Sequence, residues 1–329
     1  MLHGNAVSKK IVKELLKSDY AVLIVLLLFI IIATFIVPSF FSLRNMINLL
    51  VRTSATGIAA IGMTFVILTG GIDLSIGGIV VLTAYIGAET LISDLGVNIW
   101  LTAIAMPVVG ALMGAFNGFN IVSLGMPPFI ATLIGMNLAR GLAQFLYKGK
   151  TVFGLPEVYA LFGCGTVGGV PIPILILIFV FILAFLVLQF NAFGRRVYAV
   201  GSNAKAAWLS GVNTQNVIFS AYVISGFLAG LTALIMSSRL TSVVGGLGLN
   251  LELDTIAAVV IGGTSLFGGE GGIFGSVIGA LIIEMIGNVL TLGGVSPFFQ
   301  MVAKGIVLWA AVALDMTRKG YTFRKFGSF

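Results

Sequence analysis

The chain is poor in the residues that do bond chemistry: its 329 residues include one histidine, His3, and one cysteine, Cys164. A single histidine removes His-dependent triads, His metal sites and most general-base schemes. A single cysteine rules out a disulfide within the chain and any cysteine-based metal cluster. Charge is scarce too, at 9% of residues against roughly a quarter in an ordinary soluble domain. Nucleotide motifs are also missing. GCGTVG at 163–168 fits the dinucleotide fingerprint in letters only, because it precedes an apolar run and has no strand–helix unit around it. GKT at 149–151 resembles the end of a phosphate-binding loop, yet Gln144 stands where the first glycine is required. No GxSxG nucleophile elbow occurs. The expectation is a chain with no catalytic residues, no metal and no cofactor of its own.

Apolar residues make up 59% of the sequence. They fall in uncharged runs at 20–37, 99–122, 172–190 and 216–238, each near the roughly 20 residues that cross a hydrocarbon core. Breaking the chain at charged or glycine-rich stretches predicts an all-α polytopic membrane protein with about ten spans. These are 20–37, 47–69, 76–92, 99–122, 127–146, 172–190, 216–238, 254–268, 272–292 and 298–315. The segment 254–268 is expected to be short or broken, because glycine pairs interrupt it. Lys9, Lys10, Lys13 and Lys17 precede the first run, which is too long for a signal peptide and reads as a retained span.

An even number of spans puts both termini on one side. A cytoplasmic assignment for residues 1–19, the loop 191–215 and the tail 316–329 collects most of the basic residues there, as the positive-inside rule asks. They are Lys9, Lys10, Lys13, Lys17, Arg195, Arg196, Lys205, Arg318, Lys319, Arg324 and Lys325. Arg44, Arg52, Arg140, Lys148, Lys150 and Arg239 fall near the outer side, and Lys304 lies inside a span. The net charge of +7 is thus a signature of insertion and not of nucleic-acid binding. The transmembrane domain is read as 20–315.

The sequence also resembles itself. GALMGAFNG…LGMPPF from Gly110 aligns with GALIIEMIG…GGVSPF from Gly279 at an offset of 169, which also brings Thr56 onto Ser225 and Gly57 onto Gly226. With a short gap, DLSIGGIVV from Asp73 lies against ELDTIAAVV from Glu252. Two halves, approximately 45–140 and 214–310, then repeat with a period of five spans. An odd period inverts the second copy, and inverted repeats place a pathway near the bilayer midplane between discontinuous helices.

Within TGGIDLSIGG, from Thr69 to Gly78, Gly70 and Gly71 are suited to end one helix, and Asp73 or Ser75 to cap the next. The segment is either a well-capped turn or a hinge beside the pathway. Ionisable residues inside spans are functional candidates by default: Glu89, Arg140, Asp254, Glu284 and Lys304. Glu89, Arg140 and Asp254 lie near span ends, where they could snorkel or cap. Glu284 and Lys304 fall in adjacent spans and are expected either to pair or to serve as a proton relay or cation site. Asn117, Asn120, Asn137, Asn288 and Gln300 could line a path for a neutral polar substrate or act as packing glue. Between the basic pair Arg195–Arg196 and the seventh span, Ala204 to Leu209 should form a short helix, capped by Asn203 and ended by Gly211.

TGGIDLSIG, GMPPFIATL (Gly125 to Leu133), GSNAKAAWLSGV (Gly201 to Val212) and the long block from Leu251 to Ala280 occur in one order across most of the chain. Together they resemble the permeases of bacterial ATP-binding cassette importers for ribose, galactose, xylose and related sugars. The resemblance implies a permease subunit in the bacterial cytoplasmic membrane, with ATP and Mg²⁺ bound by a separate ATPase. It also implies a periplasmic or extracellular sugar-binding protein and a second permease, identical or homologous, completing the pore. In that family the loop holding Asn203, Ala206, Ala207, Ser210 and Gly211 is the coupling helix that docks in the ATPase. A bulky charged residue at Ala207 is then expected to uncouple hydrolysis from uptake. The competing reading is an ion-coupled secondary sugar transporter using Asp73, Asp254 or Glu284.

Overall fold

A computed structural model describes residues 20–318. The N-terminal segment 1–19 and the end of the tail, with most of the lysines used above to assign sidedness, lie outside the described residues. What is described is almost wholly helical, as a lipid-immersed chain must be if its backbone groups are to be satisfied without water. The helices in chain order are α1 (Tyr20–Ile36), α2 (Leu43–Leu68), α3 (Ile76–Tyr85), α4 (Ile99–Val122), α5 (Pro128–Tyr147), α6 (Leu161–Cys164), α7 (Ile172–Phe190), α8 (Ala192–Ser202), α9 (Ala204–Leu209), α10 (Thr214–Leu240), α11 (Leu251–Ile261), α12 (Ile273–Leu292) and α13 (Pro297–Arg318). A π-helical stretch, Ile86–Asp94, continues α3.

Seven of these helices are long and apolar enough to cross a membrane: α2, α4, α5, α7, α10, α12 and α13. The ends of α4 and α7 coincide with the uncharged runs in the sequence. The other three expected spans correspond to shorter helices. The 17 residues of α1 approach the required length, and α3 gains it only through its π-helical extension. At 11 residues, α11 rises about 16 Å, roughly half of a hydrocarbon core. It ends at Ile261 and does not continue to 268, because Gly262 and Gly263 follow and the latter adopts φ +88°. The segment GCGTVG at 163–168 ends α6 and opens a short hairpin. Thr166–Val167 pairs with Val170–Pro171 across Gly168 and Gly169, both at positive φ as a tight hairpin turn requires.

α2 is the central helix, buried without interruption from Thr53 to Leu68. It packs against α7, α10, α11 and α12. The tightest crossing joins α4 and α10, where Gly110 and Gly114 on one helix meet Gly226 and Gly230 on the other. A Cβ on Gly226 would run into the Gly110 carbonyl and sit 2.8 Å from Gly114 Cα. Small residues at this spacing let helix backbones touch where lipid supplies no hydrophobic drive for association.

Candidate functional site

The chain between α2 and α3 is built to break a helix. Gly71 N–H donates to the Val66 carbonyl (3.1 Å) and Gly70 N–H to Ile67 (2.8 Å), with Gly70 at φ +80°. That is the Schellman arrangement, with glycine in the left-handed position. Asp73, fully buried, then caps α3. Its Oδ1 accepts from Ser75 N–H (2.9 Å) and from the Ser75 hydroxyl (2.5 Å), and its Oδ2 accepts from Ser225 Oγ of α10 (2.7 Å). Ser75 itself makes no side-chain cap bond, so of the two expected caps it is Asp73 that acts, through an Asx turn. Asn117 of α4 donates to Ser75 Oγ at 2.7 Å. Thr132 of α5 (3.2 Å) and Tyr222 of α10 (3.4 Å) donate to the Ile72 carbonyl. Three long helices therefore clamp one helix break.

The first turn of α3 also meets α11. A Cβ on Gly77 would collide with Glu252 Oε2 and the Gly248 carbonyl and would sit 3.0 Å from Arg140 Nη2. Glu252 opens α11, and Arg140 of α5 reaches it at 3.3 and 3.4 Å. Arg140 therefore forms an ion pair instead of snorkelling or capping, and the two short helices meet where that pair sits.

Glu284 and Lys304 do not pair with each other, which corrects the expectation from their adjacent spans. Lys304 Nζ takes Asp254 Oδ2 at 2.6 Å, and Glu284 Oε1 accepts from Thr56 Oγ1 at 2.6 Å. Asp254 was reachable because α11 turns back alongside α13. Glu284 and Lys304 line one cavity of about 330 Å³ with Arg52, Thr56, Arg239 and Gln300. Lys304→Met should leave Asp254 without its charged donor and lower stability by about 2 kcal/mol. A double-mutant cycle with Asp254→Asn, read by thermal unfolding, should return most of that loss as coupling.

The amides divide in the same way. Asn288 and Asn45 exchange two hydrogen bonds (2.8 and 3.0 Å) that tie α12 to the start of α2, and Asn120 donates to its own helix at the Phe116 carbonyl. Gln300 donates to the Val295 carbonyl and to Thr291. In these residues the packing role is the one on view.

Between α7 and α10 the chain forms α8 and α9. Asn203 Oδ1 accepts from Ala206 N–H at 2.9 Å and caps α9, and Gly211 at φ +84° ends it. Ala206, Ser210 and Gly211 are exposed. Ala207 is only 6% exposed and belongs to the apolar cluster of Val200 and Val217. A bulky charged residue there would unseat α9 from the protein as well as alter its outer face, so Ala207 is no clean probe of docking. The outer face is instead dominated by Trp208 and Leu209, 64% and 70% exposed. Two large apolar residues on a short, alanine-rich loop helix were the sequence signal for this face.

Next to α9 three backbones converge. A Cβ on Gly201 would strike the Leu68 carbonyl, and Gly269 N–H donates to that same carbonyl at 3.0 Å. Gly268, at φ +83°, lies against Gly70 N and the Gly201 carbonyl. Tyr198 of α8 donates to the Gly271 carbonyl at 2.9 Å. The base of the α8–α9 unit thus touches both the α2–α3 break and the α11–α12 break.

Known proteins share this chain's sequence over nearly its full length. The ribose import permease of Bacillus subtilis is 44% identical over 292 residues, 88% of this chain and 90% of the relative. The ribose import permease of Haemophilus influenzae is 40% identical over 296 residues, 89% and 91% of the two chains. The D-allose transport system permease of Escherichia coli K12 is 34% identical over 293 residues, 88% and 89%. No solved structure matches. The family model for the permease component of the branched-chain amino acid transport system matches residues 45–312. That match runs from the first turn of α2 into α13, across both helix breaks and the α8–α9 unit, and the chain belongs to this permease-component family.

Proposed function

We propose that the chain is the membrane-spanning permease subunit of an ATP-binding cassette importer that brings a monosaccharide into the cell, driven by ATPase subunits that bind ATP and Mg²⁺. A sugar-binding protein outside delivers the substrate, and a second permease, identical or homologous, completes the pore. The relatives' names, for ribose and D-allose permeases, support an aldose as cargo. The observation that carries the reading is the packing of the α8–α9 unit on both helix breaks, with Trp208 and Leu209 turned outward. A push on α9 reaches Leu68, Gly70 and Gly269 through backbone contacts with no soft side chain between. Glycines at positive φ let both breaks change angle at little steric cost. The coupling role of Asn203 and Gly211 is then to fix the start and end of α9.

Ten crossings, with α1, α3 and its extension, and α11 as the short or broken members, return both termini to the cytoplasm. Two inverted halves are supported by matching partners. α2–α5 and α10–α13 run in the same long, short, long, long order. The α10–α4 pairing has its counterpart in α2–α12, and α3–α5 in α11–α13. Ser225 donates to Asp73 as its repeat mate Thr56 donates to Glu284. Alternating access then opens the path to one side of the membrane at a time.

An ion-coupled carrier would draw on Asp73, Asp254 or Glu284, and each already holds a protein donor. Uptake of labelled ribose by membranes containing the full complex separates the two readings. Uptake should stop when ATP is depleted and persist when proton and sodium gradients are collapsed. The opposite pattern would overturn the importer.

A further inference from the structure

The offset of 169 that aligns the sequence with itself sets a small residue against each charged or amide residue around the 330 Å³ cavity. Arg52 aligns with Ala221, Glu284 with Ala115, Gln300 with Ala131, Lys304 with Gly135 and Arg239 with Gly70. At the matching place in the other half the helices close up. Ala131 and Ala221 are buried, a Cβ on Gly135 would collide with the Asn117 amide, and α4 and α10 touch backbone to backbone. The cavity and its charges are therefore an addition on one side, for which the repeat alone does not account.

The charges around the cavity do not cancel. Lys304 is committed to Asp254, and Glu284 accepts from Thr56. Arg52 is exposed and Arg239 half-buried, and neither side chain makes a hydrogen bond or an ion pair within 4 Å among the described residues. The carbonyls that end α10 already have donors: Ser242 N–H on Ser237, Thr241 N–H on Ser238 and the Cys164 thiol on Arg239. Arg239 is repelled by Arg52 more than it is attracted by Glu284. Counted with Asp254, three cations face two carboxylates, which leaves one positive charge beside the apolar walls of Ala55, Ile235 and Met236. Low-dielectric walls concentrate such a field inside a cavity.

We propose that this cavity is a binding site for a phosphate group, gripped between Arg52 and Arg239. A guanidinium offers paired N–H donors at the spacing of phosphate oxygens. A phosphate has oxygens enough for two such forks, where a carboxylate has two in all. Lys304 spends one of its N–H donors on Asp254 and has others to add. The single negative charge of a phosphodiester, or of monobasic phosphate, neutralises the surplus. A space of 330 Å³ is far more than one water needs. Inorganic phosphate and the headgroup of an anionic phospholipid carry this same chemistry, and either one would tie α2, α10, α12 and α13 together.

The test is thermal unfolding of the delipidated full-length protein in detergent. In one arm inorganic phosphate replaces chloride at constant ionic strength. In the other, phosphatidylglycerol in mixed micelles is compared with zwitterionic phosphatidylcholine, whose phosphate already has its own cation. At least one arm should raise the midpoint saturably, by about 3 °C or more. A response to inorganic phosphate marks a free-anion site, and one to phosphatidylglycerol alone marks a headgroup site. Arg52→Gln and Arg239→Gln should each weaken the apparent affinity at least about tenfold. Glu284→Gln keeps an acceptor for Thr56 and removes a repelling charge, so it should tighten binding at least about threefold. That gain carries the test if an arginine variant does not fold. A parent indifferent to both phosphate sources, a response that survives both arginine variants, or a Glu284→Gln affinity that is unchanged or weaker would overturn the proposal. Arginine variants that lose only association with the sugar-binding protein, beside an indifferent parent, would assign the two guanidiniums to that protein instead. No sugar enters the measurement, so its outcome is separate from that of the uptake assay.

Discussion

Gly226→Leu is expected to destabilise the protein by about 3 kcal/mol or more, at the upper end of overpacking effects, because the new side chain has only backbone to push against. It would meet the Gly110 carbonyl and the Gly114 backbone, none of which can swing away as the tip of a side chain can. Relief requires α4 and α10 to separate. Separation would also draw Ser225, the neighbouring residue, from Asp73, so a local clash reaches the α2–α3 break. Thermal unfolding of the detergent-purified protein should show a large drop in midpoint, with little folded protein recovered from membranes. Gly305→Leu, on α13 where nothing lies within 4 Å, should leave the midpoint nearly unchanged.

The second large effect is expected at Asp73. Replacing it by alanine strands the Ser75 hydroxyl, the Ser75 N–H and the Ser225 hydroxyl in a site without water contact. Each buried donor without an acceptor costs about 1–3 kcal/mol, and the helix start loses the favourable carboxylate at its positive end. A loss of about 4 kcal/mol follows. Asp73→Asn keeps one acceptor oxygen and should lose less, and Ser225→Ala should lose about 1 kcal/mol. The order Ala, Asn, then the Ser225 variant, measured as unfolding midpoints, is the signature of a carboxylate that holds a helix break. An ion-coupling Asp73 would instead give its largest effect on transport and little on stability.

Spans were legible in the sequence because lipid leaves a helix few alternatives, and the uncharged runs at 99–122 and 172–190 became α4 and α7 to the residue. The short helix α9 was legible for a local reason as well: Asn203 and Gly211 carry its start and stop in their own chemistry. Partners across helices were not. Lys304 could have reached Glu284 or Asp254 by sequence position, and only the return of α11 against α13 decides between them. Ser225 as a donor to Asp73 was half visible, since the offset that aligned it with Thr56 said nothing about carboxylates opposite either hydroxyl. The burial of Ala207 against Val200 and Val217 was not legible, because a six-residue helix has too few positions for periodicity to say which face turns inward.

In the proposed importer, α9 is the point where an ATPase moves the permease. The most direct test is ribose uptake and ATP hydrolysis measured together in the reconstituted importer carrying Trp208→Glu and Leu209→Glu. Both side chains face outward, so the variant should insert and unfold as the parent does. Uptake is predicted to fall at least about tenfold while hydrolysis continues without stimulation by the sugar-loaded binding protein. Uptake and stimulation at parental levels would contradict the account.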